Sequence, residues 1–262
     1  MPTRPPWLLT VAGVLILVFL MLPTVIVVPM SFSDSAYLEF PPKTWSVRWY
    51  STYFASPQWL DATRTSLVVA LATVALATPL GVAAAYGVNA APPRLRAIVQ
   101  GVIIAPLIVP SILVAVGVFH LYALIDLNYT LAGVILAHTA LALPFVVVTV
   151  LAGLRGADAA QELAARSLGA HRLRAVLTVT LPQIRFSVQT AAFLAFITSL
   201  DEVVVAMFVS GGDNATITRR MFNSLRDQID PTIAAISTCL IAVSVMALLA
   251  VQAIGARARR GT

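Results

Sequence analysis

The chain has 262 residues, 59% of them hydrophobic and 11% charged, with a formal net charge of +6 and a mean hydropathy of +0.90. A soluble domain carries roughly a quarter charged residues, so this composition excludes a soluble globular protein and reads as an integral membrane protein. A single cysteine, Cys239, excludes an internal disulfide and a cysteine metal cluster.

In chain order, the apolar run Trp7–Met30 is long enough to cross about 30 Å of hydrocarbon. Arg4 ahead of it places the N-terminus inside. A cleaved signal peptide is the other reading, but the apolar core is too long and no small-x-small site follows. Residues 31–64 form an outer segment dense in aromatics, among them Tyr37, Phe40, Trp45, Trp49, Tyr50, Tyr53, Phe54 and Trp59. That density fits an interfacial belt, short helices on the membrane surface, or a contact for an external partner.

The second span is 66–88, followed by a basic turn with Pro92, Pro93, Arg94 and Arg96. The third is 98–121, with Pro106 and Pro110 inside it. Intramembrane prolines free backbone carbonyls, so they mark either a kink lining a cavity or a plain packing kink. After an outer turn at Asp126 and Asn128 comes the fourth span, 131–154, with His138 and Pro144. A histidine at that depth is either a satisfied core group or a functional one.

Residues 155–185 form a polar loop with five arginines and two acids, Asp158 and Glu162. Asp158 with Gln161 reads as a helix N-cap with a capping partner. Ala160, Leu163, Ala164 and Ser167/Leu168 recur at helical spacing. Gly169 sits where a helix needs a left-handed stop. A second short helix, 171–180, then runs into Leu181 and Pro182, and a proline suits the first turn of the next helix.

The fifth span, 186–209, contains Asp201 and Glu202. The outer loop 211–231 and the sixth span, 233–254, follow. Arg257, Arg259 and Arg260 hold the C-terminus inside. The expected fold is therefore an all-α polytopic bundle of six transmembrane helices with both termini cytoplasmic, one transmembrane domain over 1–262. The inside segments hold eleven arginines and two acids, the outside segments six Lys/Arg and seven acids. That is the positive-inside pattern and not a nucleic-acid patch.

The acids of the fifth span carry the strongest chemical signal. A carboxylate near the bilayer centre costs on the order of 2.5–3.5 kcal/mol, so such groups face a bundle interior or a watery cavity. Asp201, Glu202 and His138 are the candidate substrate path, with one acid attracting a cationic solute. An interhelical hydrogen bond, or a pair between an acid and His138, is the structural alternative. No Walker loop, HExxH, G-x-S-x-G or dinucleotide fingerprint is present. His138, Asp201, Glu202 and Cys239 make no recognised catalytic set, so the chain is not expected to be an enzyme. Any energy source is a partner or an ion gradient.

Ala164-Ala165, Gly169 four residues later, nine residues, then Val179-Thr180-Leu181-Pro182 resembles the EAA–G–I-x-LP loop of binding-protein-dependent ABC importer permeases. The family's glutamate falls at Leu163, with Glu162 one residue early, and its isoleucine is Val179. SLDEVVVAMFVSG is similar to the Ser-Phe-Asp-Glu segment of the second permease component of spermidine/putrescine-type systems. MFNSLRDQIDPTIAAIST and FPPKTWSVRWYSTYF are also similar to that subgroup.

The resemblance implies the permease subunit of an ATP-driven importer in the bacterial inner membrane, for polyamines or a similar small solute. It implies alternating access driven by two copies of a separate ATPase, a second homologous permease and an extracytoplasmic solute-binding protein. ATP and Mg belong to the ATPase, with no cofactor or metal on this chain. Membrane lipid is the remaining partner, and no nucleic acid is expected. Glu162, Leu163, Ala164, Ala165, Gly169, Leu181 and Pro182 are implied to form the ATPase coupling loop. The alternative is a stand-alone ion-gradient-driven transporter or channel, which shares the buried acids but leaves the helix–glycine–helix loop unexplained.

Overall fold

A computed structural model describes residues 7–227 and 229–260, without the side chains of 254–260. Arg4 and the side chains of Arg257, Arg259 and Arg260, on which the orientation reading leans, lie outside what is described. The described residues are almost wholly helical, and the only strand-like pairing among them is an isolated bridge between Ser33 and Trp45. The chain divides into two compact units. One takes in the chain up to Leu60 with Asn223–Ser244, the other Asp61–Phe222 with the chain from Val245.

In the first unit, α1 (Trp7–Met30) buries none of its side chains. An apolar helix exposed all round suits lipid or a neighbouring helix, not water. The aromatic segment after it divides by burial. In α2 (Arg48–Ala55), Trp49 and Tyr53 are buried, while Tyr37, Phe40, Trp45 and Phe54 are exposed. The buried group is held by polar contacts as well as packing. Trp49 Nε1 donates to the Ser35 carbonyl at 3.1 Å, Tyr50 and Ser31 share a hydroxyl hydrogen bond of 2.7 Å, and the Arg48 guanidinium stacks 4.4 Å over Trp49.

The second unit is built on α3 (Pro57–Ala90), of which it holds the part from Asp61, with α4 (Pro93–Ile108), α5 (Ser111–Leu124), α6 (Leu131–Arg155), α10 (Arg185–Asp201) and α11 (Val204–Val209). Between α6 and α10 lie α7 (Ala159–Ser167), α8 (Arg172–Ala175), a π turn over Val176–Thr180 and α9 (Leu181–Gln183). Its core is lined by small residues. Ala77, Ala85, Ala142, Val146, Val150, Ala191 and Ala195 bring α3, α6 and α10 together. Small side chains let helices approach closely where lipid gives no hydrophobic drive between them. Two glycines mark close approaches between these helices. A Cβ at Gly81 would strike Val146, and one at Gly153 would strike Ser187. A second cluster, including Val69, Ala115, Val134, Val205 and Val209, joins α3, α5, α6 and α11.

The chain continues through α12 (Ile217–Asp227) and α13 (Thr232–Arg260). Among the described residues, four helices are long and apolar enough to cross a membrane: α1, α3, α6 and, in α13, Thr232–Ala253. The pair α4 and α5 gives a fifth if the two count as one broken span.

Two of the six expected runs are therefore not continuous helices. The third turns by 100° between α4 and α5. Pro110 has no N–H and disfavours the α conformation in the residue before it, and Val109 is extended at φ −73°, ψ 132°. The fifth stops at Asp201, where Glu202 is extended at φ −69°, ψ 115°. The Glu202 carboxylate accepts the Val205 N–H at 2.7 Å, so a side chain takes over a backbone donor and a new helix, α11, begins.

Candidate functional site

The two helix breaks meet at one cavity of about 600 Å³. Its wall is the α4–α5 break from Pro106 to Ser111, Leu141 and Phe145 of α6, Thr198 and Asp201 of α10, and Glu202. Backbone that leaves the helix at membrane depth is tolerated where it is covered by protein or lines such a cavity. Pro106 and Pro110 are thus part of the cavity wall.

The adjacent acids differ. Asp201 is exposed, with no hydrogen-bond or ion-pair partner among the described residues. Glu202 is half-buried and committed to the backbone. Its side chain caps α11, and its carbonyl accepts from Thr218 Oγ1 at 2.7 Å. His138 does not line the cavity. It is 1% exposed, its Nδ1 lies 2.9 Å from Ser199 Oγ, and that hydroxyl lies 3.5 Å from Thr73 Oγ1. The three side chains form a buried polar chain across α6, α10 and α3. Phe145 and Thr198 escaped the sequence reading. Thr198 sits three residues before Asp201, a spacing that puts both on one helix face. Phe145 has no such signal in an apolar run.

The basic loop is locally ordered. Asp158 caps α7, its Oδ1 accepting from Ala160 N at 2.9 Å. Gly169 has φ +96°, a left-handed conformation that glycine adopts without a Cβ penalty. Ala170 N donates back to the Ala165 carbonyl at 3.1 Å, closing the helix end as a left-handed cap does. Gln183, one residue after Pro182, accepts from Asp158 N at 2.9 Å and donates to Gln161 Oε1 at 3.2 Å, so the two ends of the loop touch. Leu181 is half-buried and Pro182 exposed in α9.

Glu162 and Leu163 diverge as adjacent helical residues do. Glu162 Oε1 accepts from Tyr86 OH and Oε2 from Thr180 Oγ1, each at 2.6 Å. The Arg172 guanidinium lies 5.2 Å over the Tyr86 ring, and its Nε is 3.4 Å from the Tyr86 oxygen. Burial alone would raise the Glu162 pKa. The Thr180 and Tyr86 hydrogen bonds, with Arg166 and Arg172 nearby, outweigh it and hold the carboxyl below its ordinary 4.5. Leu163 is 59% exposed and Leu168 90%. Ala164 is exposed and Ala165 half-buried. Tyr86 was not foreseen, although it is the sole aromatic in the run 66–88 and sits near its end.

The family profile described as binding-protein-dependent transport system inner membrane component matches residues 77–260. The chain belongs to this family. It is a permease subunit of an ABC importer, a multi-pass component of the inner membrane and a transport subunit rather than an enzyme. The permease is 29% identical over 237 residues to the spermidine/putrescine transport system permease protein PotC of Haemophilus influenzae, covering 90% of this chain and 91% of that protein. It is 29% identical over 255 residues to the putrescine transport system permease protein PotI of Escherichia coli, covering 94% of this chain and 90% of that one. Its fold matches a crystal structure of a bacterial alginate ABC transporter in complex with alginate pentasaccharide-bound periplasmic protein. There the TM-score is 0.70 and the identity 18%, over 97% of this chain and 94% of that one.

Proposed function

We propose that the permease moves a small cationic solute of the polyamine type, with Asp201 as the charge that receives it. The observation that carries this reading is the Asp201 carboxylate, unpartnered in the wall of a 600 Å³ cavity between two broken helices. That volume falls within the range of about 300–1,000 Å³ usual for small-molecule sites. Phe145 in the same wall is an aromatic, the kind of side chain that attracts an ammonium group. The names of the permeases it resembles support an amine as cargo.

The chain acts as one transmembrane domain over 1–262, crossing six times with both termini in the cytoplasm. The crossing that brings the count to six is the fifth in chain order, the broken pair α10 and α11. Loop 155–185 is then cytoplasmic and receives the ATPase. The assembly holds two ATPase subunits, which bind ATP and Mg, a second homologous permease and an extracytoplasmic binding protein that delivers the solute. Support for the last comes from the periplasmic protein in the alginate complex. Alternating access follows, with closure of the ATPases shifting the loop and the helix breaks flexing around the cavity.

Gentle detergent extraction of the tagged protein from its native membrane, with mass spectrometry of what remains bound, tests the assembly. Recovery of stoichiometric ATPase and a second permease is expected. A protein recovered alone, under conditions that keep other multi-subunit complexes intact, would favour the gradient-driven reading.

A further inference from the structure

The geometry points to Glu162 as a positioning residue that straps the ATPase-facing helix α7 to the membrane helix α3 through Tyr86, leaving the neighbouring Leu163 to meet the ATPase. This inference rests on the importer reading above.

One carboxylate joins three segments. It sits on α7, its Oε1 takes the hydroxyl of Tyr86 at the end of α3, and its Oε2 takes the hydroxyl of Thr180 at the end of the π turn. Both bonds are 2.6 Å, the length of charge-assisted O–H···O⁻ bonds, which are roughly twice as strong as neutral ones. Arg172 closes the group from α8, stacked on Tyr86. A carboxylate used in this way faces its own chain. The residue that faces outward is Leu163, about 100° further round the helix and 59% exposed, at the position where the family pattern has glutamate.

The strap has a mechanical consequence. A push on α7 cannot be absorbed by the loop alone, because Tyr86 moves with it. Tyr86 lies five residues from Gly81, the point at which α3 meets α6 at Val146. α6 and α3 share a core with α10, and α10 ends at Asp201 in the cavity wall. The hydroxyl–carboxylate pair is therefore a side-chain link from α7 to this core, beside the covalent ones through α6 and α10. Contiguity alone does not show coupling, so the test is a mutant cycle on that link.

The experiment uses the whole complex extracted from its membrane, with Cys239→Ala and with Leu194→Cys, since Leu194 of α10 also lines the cavity. The readouts are retention of the ATPase, the rate of ATP hydrolysis, and the change in maleimide labelling at position 194 caused by ATP and Mg. With either Glu162→Gln or Tyr86→Phe, the ATPase should stay bound while the ATP-driven labelling change falls about tenfold, the loss of one charged hydrogen bond. The double variant should be no worse than either single one. Tyr86→Phe removes only an oxygen and guards against misfolding as the cause. An unchanged labelling response in both single variants overturns the strap. Release of the ATPase by Glu162→Gln but not by Tyr86→Phe also overturns it, since Glu162 would then be a partner contact. Absence of any ATPase from the unsubstituted complex defeats the importer reading itself, and the strap with it.

Discussion

Glu162 and Asp201 are both carboxylates in a chain with few of them, and their surroundings are opposite. Glu162 is answered on both oxygens by hydroxyls of its own chain, with two arginines nearby. Asp201 is answered by nothing among the described residues and faces an open cavity. An acid satisfied by its own fold holds parts together. An acid left unsatisfied, where placing it costs energy, is the one we propose receives the solute. Glu202, beside Asp201, falls with Glu162 on this criterion, because its side chain closes a helix end.

The largest effect that sharpens the contrast is expected from Asp201→Arg. A like charge facing a cation costs several kcal/mol, so putrescine uptake by membrane vesicles should fall on the order of a hundredfold, with complex assembly unchanged. Gly153→Val should act in the reverse manner. It overpacks the α6–α10 contact at Ser187, with a cost of about 1–3 kcal/mol, visible as a lower melting temperature in detergent. Glu202 separates charge from capping. Glu202→Gln keeps an oxygen for Val205 N–H and should transport close to normally. Glu202→Ala should lose roughly 1 kcal/mol of stability, read in the same melts. If Glu202→Gln abolishes uptake while the melt is unchanged, Glu202 belongs with Asp201 and the division between them is wrong.

The smallest expected effect is in pH. The Glu162 pKa is lowered, so its contribution is fully present above about pH 4.5 and is lost as pH falls through the lower, folded value. The melting difference between the unsubstituted protein and Glu162→Gln should hold from neutral pH to about pH 5 and shrink below it.

The elements most readable from sequence were those set by local rules. Long apolar runs gave α1, α3, α6 and the apolar part of α13, Asp158 and Gly169 gave the two ends of α7, and the Leu-Pro pair gave the next helix start. What escaped depends on pairs far apart in the chain. Pro110 announced a bend, but its size, 100°, follows from how α5 packs with α11 and α6. The stop at Asp201 needed a side chain that outcompetes the helix for Val205 N–H, and no periodicity encodes that. Depth alone groups His138 with the acids, yet its partner is Ser199, 61 residues away. The Glu162–Tyr86 pair is separated by 76 residues, and nothing in the spacing of either run announces it.

The most direct test of the central claim is the concentration dependence of putrescine uptake by the reconstituted complex with Asp201→Asn. If Asp201 receives the cation, the half-saturating concentration should rise on the order of tenfold, the loss of one charged contact, while the uptake driven per ATP at saturation is kept. An unchanged half-saturating concentration would contradict the account, because the open carboxylate would then have no part in receiving the solute.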